Sequence, residues 1–173
     1  MVRSLFAGVA AVLVAVGVAA PASADPVADL YGMLPDGYDE GVCQPVDVPP
    51  NDPNRKVAIL QCGPNSMPGG PIGARYIEFA DKDAVAGNFQ AYVNSDMWQT
   101  EICPGETTRI ISVMTPGHEQ LGLVACGRQT NDPGPPHLIF IHGLMFGNAI
   151  GADFQSLLQW MAKSRALGEK LNW

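Results

Sequence analysis

Val57-Ala58-Ile59-Leu60-Gln61-Cys62-Gly63 and Leu121-Gly122-Leu123-Val124-Ala125-Cys126-Gly127 are two versions of one pattern. Each is an apolar run closed by Cys-Gly, the composition of a buried strand. In both, a Gly-Pro pair (Gly70-Pro71, Gly134-Pro135) stands eight residues after the cysteine. It opens onto a second apolar run, Ala74 to Phe79 in one copy and Leu138 to Ile141 in the other. Phe89-Gln90 and Phe154-Gln155 then follow their cysteines by 27 and 28 residues. The spacing predicts a duplicated unit of strand, loop, strand and helix.

Working outward, Lys56 to Cys62 reads as a strand, Gly63 to Gly73 as an irregular Pro/Gly loop, and Arg75 to Phe79 as the next strand. Asp81 and Asp83 suit the positive end of a helix over 82–96, whose apolar face is Val85, Phe89, Tyr92 and Val93. In the second half, Arg109 to Met114 and Gly122 to Cys126 are strands, joined by a turn at Pro116-Gly117. His142-Gly143 has the form of a two-residue hairpin turn, which predicts a further strand over Leu144 to Ala149. A last helix spans Ala152 to Ser164, with Phe154, Leu157, Leu158 and Met161 on one side and Lys163 and Arg165 at its negative end. Leu167, Leu171 and Trp173 close the chain.

Upstream, Val27, Leu30, Tyr31 and Leu34 form the face of a brief helix. Pro35-Asp36-Gly37 turns the chain toward Cys43, which lies on or beside a first short strand. The total is five to seven strands and two main helices. Loops rather than helices connect most strands. That favours an α+β fold with a mainly antiparallel sheet over a doubly wound parallel one.

The first 24 residues have the form of a secretory signal peptide. Arg3 supplies the charge, Leu5 to Ala20 the apolar stretch, and Ala22-Ser23-Ala24 the small-residue cleavage site. The apolar stretch is shorter than the roughly 20 residues of a spanning helix, so no stable membrane span is expected after cleavage. Residues 25–173 are then a single exported domain, secreted or held in the cell envelope. Acidic residues outnumber basic ones, 17 to 10, and Arg3 leaves with the leader. Such a chain is a poor match for nucleic acid, which rewards clustered cations.

All four cysteines lie in the exported part. An even count in an oxidising compartment reads as two disulfides. Several connectivities are possible. The repeat favours pairing inside each unit, Cys43–Cys62 and Cys103–Cys126, each closing a loop of about 20 to 24 residues and contributing roughly 3 kcal/mol. Zinc-binding spacing such as C-x-x-C is absent.

No catalytic set emerges. No G-x-S-x-G elbow, H-E-x-x-H or phosphate-binding glycine loop is present. His137 and His142 flank one strand and, five residues apart, point to opposite faces. His118 sits beside Glu119 in a turn, where a solvated histidine and a His–Glu pair are both possible. No cofactor or metal is expected. Apolar and aromatic residues in loops and at element ends are the remaining signal. The speculative binding surface is Met67, Tyr76, Trp98, His137 and Phe146.

Several motifs together resemble a small actinobacterial exported domain. They are Leu34-Pro35-x-Gly37-Tyr38 with Cys43, Ala58-x3-Cys62-Gly63-Pro64-Asn65, Gly69-Gly70-Pro71, Ala74-Arg75-Tyr76, Cys103-Pro104-Gly105, Val124-Ala125-Cys126-Gly127 and Leu157-x2-Trp160. That family occurs as secreted proteins, mycobacterial ones among them, and as the extracytoplasmic module attached to some membrane serine/threonine kinases. The similarity spans about residues 34–162, and no kinase signature accompanies it. Where the family pattern has an aromatic after Cys103, this chain has Ile110 to Met114. The resemblance implies export, two disulfides and a sensing or binding role. The expectation is therefore a monomeric secreted protein that binds a small molecule or an envelope protein. The alternatives are a secreted hydrolase of unrecognised type, centred on His118 or His137, and a structural envelope protein.

Overall fold

Aspartate opens each helix of the computed structural model, which describes residues 25–39, 41–115, 119–130 and 134–167. The expected signal peptide, the Pro116-Gly117 turn, His118, Leu171 and Trp173 lie outside the described residues. Asp25 caps α1 (Pro26–Met33), Asp81 caps α2 (Lys82–Val93) and Asp153 caps α3 (Phe154–Lys163). Each carboxylate accepts a first-turn backbone N–H, from Val27, Ala84 and Ser156 respectively. Pro26 supplies the preset φ of a first helical residue, and Pro35 forbids continuation past Leu34. α2 stops with its last apolar residue, Val93, rather than at 96, and the Ser95 hydroxyl turns back there to donate to the Tyr92 carbonyl.

Eight strands form one antiparallel sheet, making the fold α+β. They are β1 (Cys43–Pro45), β2 (Lys56–Cys62), β3 (Gly73–Phe79), β4 (Trp98–Glu101), β5 (Ile110–Met114), β6 (Gln120–Gln129), β7 (His137–His142) and β8 (Met145–Ile150). The order across the sheet is β1-β2-β3-β8-β7-β6-β4, with β5 also on β6. The strand count exceeds the five to seven expected, while α1 is the brief helix expected beside the two main ones. The additional strand is β4, four mostly polar residues that are too short to show a period of two. The β7–β8 hairpin turns at Gly143-Leu144, one residue later than His142-Gly143. Gly143 has φ 57°, at the position a type II′ turn gives to glycine.

β4 and β5 behave as one interrupted edge strand. Glu101 pairs with Cys126 and Ile110 pairs with the adjacent Ala125, so residues 102–109 loop out between consecutive partners. Cys103 in that excursion is joined to Cys126. At the other edge, Cys43 and Cys62 are direct cross-strand partners and are joined in the same way. Both disulfides thus tie an edge segment to the Cys-Gly strand of its own half.

The sheet is covered on both faces. α1 and α3 lie over Leu60, Tyr76, Phe140 and Leu138. On that side Tyr38, Tyr76, Phe140 and Trp160 form a line of edge-to-face aromatic contacts, with centroids 5.4, 6.3 and 6.5 Å apart. α2 crosses the opposite face, burying Val85, Phe89 and Val93 against Ile59, Ile77, Phe79, Phe146 and Ile139. Strand alternation divides β3 between the two cores: Ala74 and Tyr76 face one, Ile77 and Phe79 the other.

The Pro/Gly loop after Cys62 acts as a clamp. The Asn65 amide donates to the Asp36 carbonyl at 3.1 Å and accepts from the Met67 N–H at 2.9 Å. Ser66 donates to the Gly37 carbonyl through both its backbone N–H and its hydroxyl. The Asp36 N–H donates to the Ser164 carbonyl, so the same turn also fastens the end of α3. Removing the Asn65 amide takes away two part-buried hydrogen bonds at once, one to the Asp36 carbonyl and one from the Met67 N–H. Asn65→Ala should therefore cost about 2–3 kcal/mol of stability in urea unfolding. A loss below roughly 0.5 kcal/mol would show that the clamp is ornamental.

Candidate functional site

The chemistry-bearing side chains that gather on the α2 face come from three strands and one helix. β2, β3, β8 and β7 align Gln61, Arg75, Asn148 and Ile139 in one transverse row. The neighbouring row, Ile59, Ile77, Phe146 and Ile141, is the apolar floor beneath α2. The Gln61–Arg75–Asn148 row lies beyond the flank of the helix. There Gln61 and Arg75 are exposed and Asn148 is half-buried.

A directed chain of hydrogen bonds runs through this row. The Asn148 Nδ2 donates to the Tyr92 hydroxyl at 2.8 Å, so its Oδ1 is the acceptor facing His137 Nδ1 at 2.9 Å. His137 must then carry its hydrogen on Nδ1, leaving Nε2 as the bare nitrogen of the neutral ring. Tyr92 receives a hydrogen bond and retains its own phenolic hydrogen. Among the described residues no acceptor takes it.

Aromatic rings wall this chain. Trp98 meets Tyr92 at 5.0 Å and His137 at 5.5 Å between centroids, both edge to face, and Tyr92 leans on Phe146 at 5.6 Å. The indole can lie this low only because residue 127 is glycine. A Cβ there would sit 2.5 Å from two indole carbons. Beside the wall, along the same flank of α2, is a hollow of about 330 Å³ lined by Asn88, Ala91, Tyr92, Ser95, Met97, Trp98 and Gln129. Met97, 70% exposed, stands at its rim.

Burial pushes the Tyr92 phenol above its ordinary value. The Asn148 hydrogen bond and the Arg75 charge pull it partly back, so the group keeps its proton at neutral pH. His137 is held below its ordinary value, by burial first. The bond to Asn148 opposes that shift, and the Arg128 charge adds to it. The imidazole is therefore neutral at neutral pH, and its partner is an amide rather than a carboxylate. Neither feature favours the imidazolium that a general base must become.

The five residues of the expected binding surface do not form one patch. Met67 and Tyr76 belong to the α1/α3 face, Met67 in the clamp loop and Tyr76 fully buried between Tyr38 and Phe140. Trp98, His137 and Phe146 do come together on the α2 face, but as the wall and floor, only 5%, 5% and 2% exposed. Their apolar or aromatic character, which drew attention to them, is what buries them. The polar ends are Tyr92, Asn148 and Arg75. Asn148 stands out in the sequence as the one strongly polar residue inside the run Met145 to Ile150. Tyr92 is legible only as an apolar helix position. His142 projects to the other face, as the spacing predicts, and its Nδ1 lies 3.0 Å from the Leu121 carbonyl. Among the described residues no three His, Cys, Asp or Glu side chains converge as a metal site. No helix among them is long and apolar enough to cross a membrane.

Comparison with known protein families, curated proteins and solved structures finds nothing that matches this chain.

Two outcomes follow from the geometry. ¹⁵N spectra at pH 7.5 should show His137 protonated on Nδ1 and bare on Nε2; the reverse pattern would turn the Asn148 amide around. Stability should also fall on acidification from about pH 6.5, the ordinary histidine value. In that window the unfolded chain takes up a proton that the folded state refuses, and the loss levels off below the lowered folded value. Denaturant titrations from pH 7 to 5 should show a shallower dependence for His137→Gln. An unchanged slope would mean that His137 titrates freely.

Proposed function

We propose that the chain is an exported, disulfide-bonded binding protein that takes a ligand or partner along the α2 flank of its sheet. The observation that carries this reading is the hydrogen-bond chain ending at the Tyr92 hydroxyl, beside exposed Arg75 and an aromatic-walled hollow. These polar groups are not consumed by the fold, whereas those of the Cys62–Gly73 loop are. The two disulfides accord with an oxidising compartment, and the leader-like N-terminus accords with export. The motif resemblance to the extracytoplasmic modules of actinobacterial membrane kinases supports a sensing role outside the cytoplasm.

A hydrolase centred on His137 has less support. The ring is neutral and bonded to Asn148, and no hydroxyl or thiol nucleophile among the described residues is hydrogen-bonded to it. A purely structural envelope protein would have no use for a donor and a cation left open on a sheet face.

Native mass spectrometry of the protein collected from its own culture medium tests the reading. A defined additional mass should co-purify and be lost in Tyr92→Ala. An identical bare mass for both proteins under every growth condition would count against binding. Recovery only in washed wall fractions, with no bound mass, would favour the structural alternative.

A further inference from the structure

We propose that the α2 flank is a receptor for an organic anion, a carboxylate or phosphate monoester attached to a flat apolar group, held by Arg75 and the Tyr92 hydroxyl. The inference rests on the binding reading above and names the class of ligand. Arg75 lies on an interior strand, directly across from Asn148 in register and on the same face. Asn148 in turn holds the Tyr92 oxygen. The register therefore sets Arg75 next to the residue that holds the phenol, near enough for its charge to act on the hydroxyl.

Among the described residues Arg75 enters no ion pair, whereas Arg55, Arg128 and Arg165 each face a carboxylate. The Tyr92 hydroxyl accepts from Asn148, so the bond it has left to make is a donated one. His137 and Asn148 fix that direction from behind, as positioning residues. A guanidinium fork and a preorientated O–H, side by side, present donors only, which suits an acceptor-only group with two or more oxygens.

The rest of the site selects what the anion is attached to. From Tyr92 the hollow runs along Trp98 and Met97 toward Gln129. Its size suits a ring or a short chain rather than a polymer. Tyr92 packs against both Phe146 and Trp98, so its ring is held in place before any ligand arrives. In a chain of net charge −7, an isolated cation on a sheet face also draws anions locally against the general field, which favours a small ligand over an acidic protein.

Isothermal titration of the purified protein with benzoate, phenyl phosphate, inorganic phosphate and neutral benzamide tests the assignment. Benzoate or phenyl phosphate should bind saturably, at least about tenfold more tightly than benzamide, a preference of one charge-assisted contact. Their ranking distinguishes a carboxylate from a phosphate source, and inorganic phosphate reports the head group alone. Arg75→Gln should abolish the preference, and Tyr92→Phe should reduce it while leaving the ring wall. Arg109→Gln, an exposed cation elsewhere, should leave it intact. Both site variants retain the buried atoms of the core, and thermal melting confirms that they fold. Equal binding of benzamide and benzoate, or an Arg75→Gln protein that binds the anion as tightly as the parent, overturns the anion assignment while the binding reading stands. Failure of all four probes to bind also overturns it, and a mass retained from the culture medium would then show binding of another kind.

Discussion

The β3–β8 pairing is the constraint on which the rest of the molecule depends. β1 to β3 form one ladder, and β4 to β8 form another. Among the described residues the six register pairs from Gly73↔Ile150 to Glu78↔Met145, flanked by the Ile72 N–H to Ile150 and Phe79 N–H to Leu144 hydrogen bonds, join them across the sheet. Both strands are interior and send side chains into both cores, so their register is fixed by two cores at once. A slip by one residue would carry Tyr76 into the α2 core and Ile77 into the α1/α3 core. That same register sets Arg75 opposite Asn148. The architecture and the candidate site are consequences of one alignment.

The two cores have different tasks. The α1/α3 side is filled with aromatic contacts and sealed by the clamp loop, whose amides and hydroxyls are turned inward onto Asp36 and Gly37. The motifs there, Leu34-Pro35-x-Gly37-Tyr38 and Cys62-Gly63-Pro64-Asn65, are structural. The Tyr38 and Tyr76 hydroxyls lie near each other and near Asn65 without reaching hydrogen-bond geometry. Desolvation pushes the Tyr38 phenol up to about 12 and also raises the Tyr76 phenol well above its ordinary value. The α2 side is thinner. One helix covers it, and the helix leaves part of the sheet bare.

Much of this is readable in the sequence because apolar period and turn chemistry act locally. Asp81 and Asp83 announce their helix, and the apolar runs around Cys62 and Cys126 announce their strands. The matched spacing around Cys62 and Cys126 points to the local disulfide pairing that the structure has. β4 is not readable, since one tryptophan and three polar residues become a strand only when β6 is there to receive them. The site is harder for the same reason. Arg75, Tyr92 and Asn148 lie on three elements, and no spacing along the chain encodes a transverse row. Tyr76 and Phe146 are aromatic, and aromatic residues are what a core takes first.

The excursion at residues 102–109 has a consequence for how this sheet can vary. Because pairing resumes on the very next residue of β6, the length of that loop does not enter the alignment of any strand. Cys103 anchors one end, and Pro104, Gly105, Thr107, Thr108 and Arg109 are exposed. Chain can be added or removed there without moving β5 relative to β6. The edge is at the same time divided into two short pieces, neither long enough to recruit a stray strand. One interruption thus gives the molecule both a place to evolve and a guard against self-association.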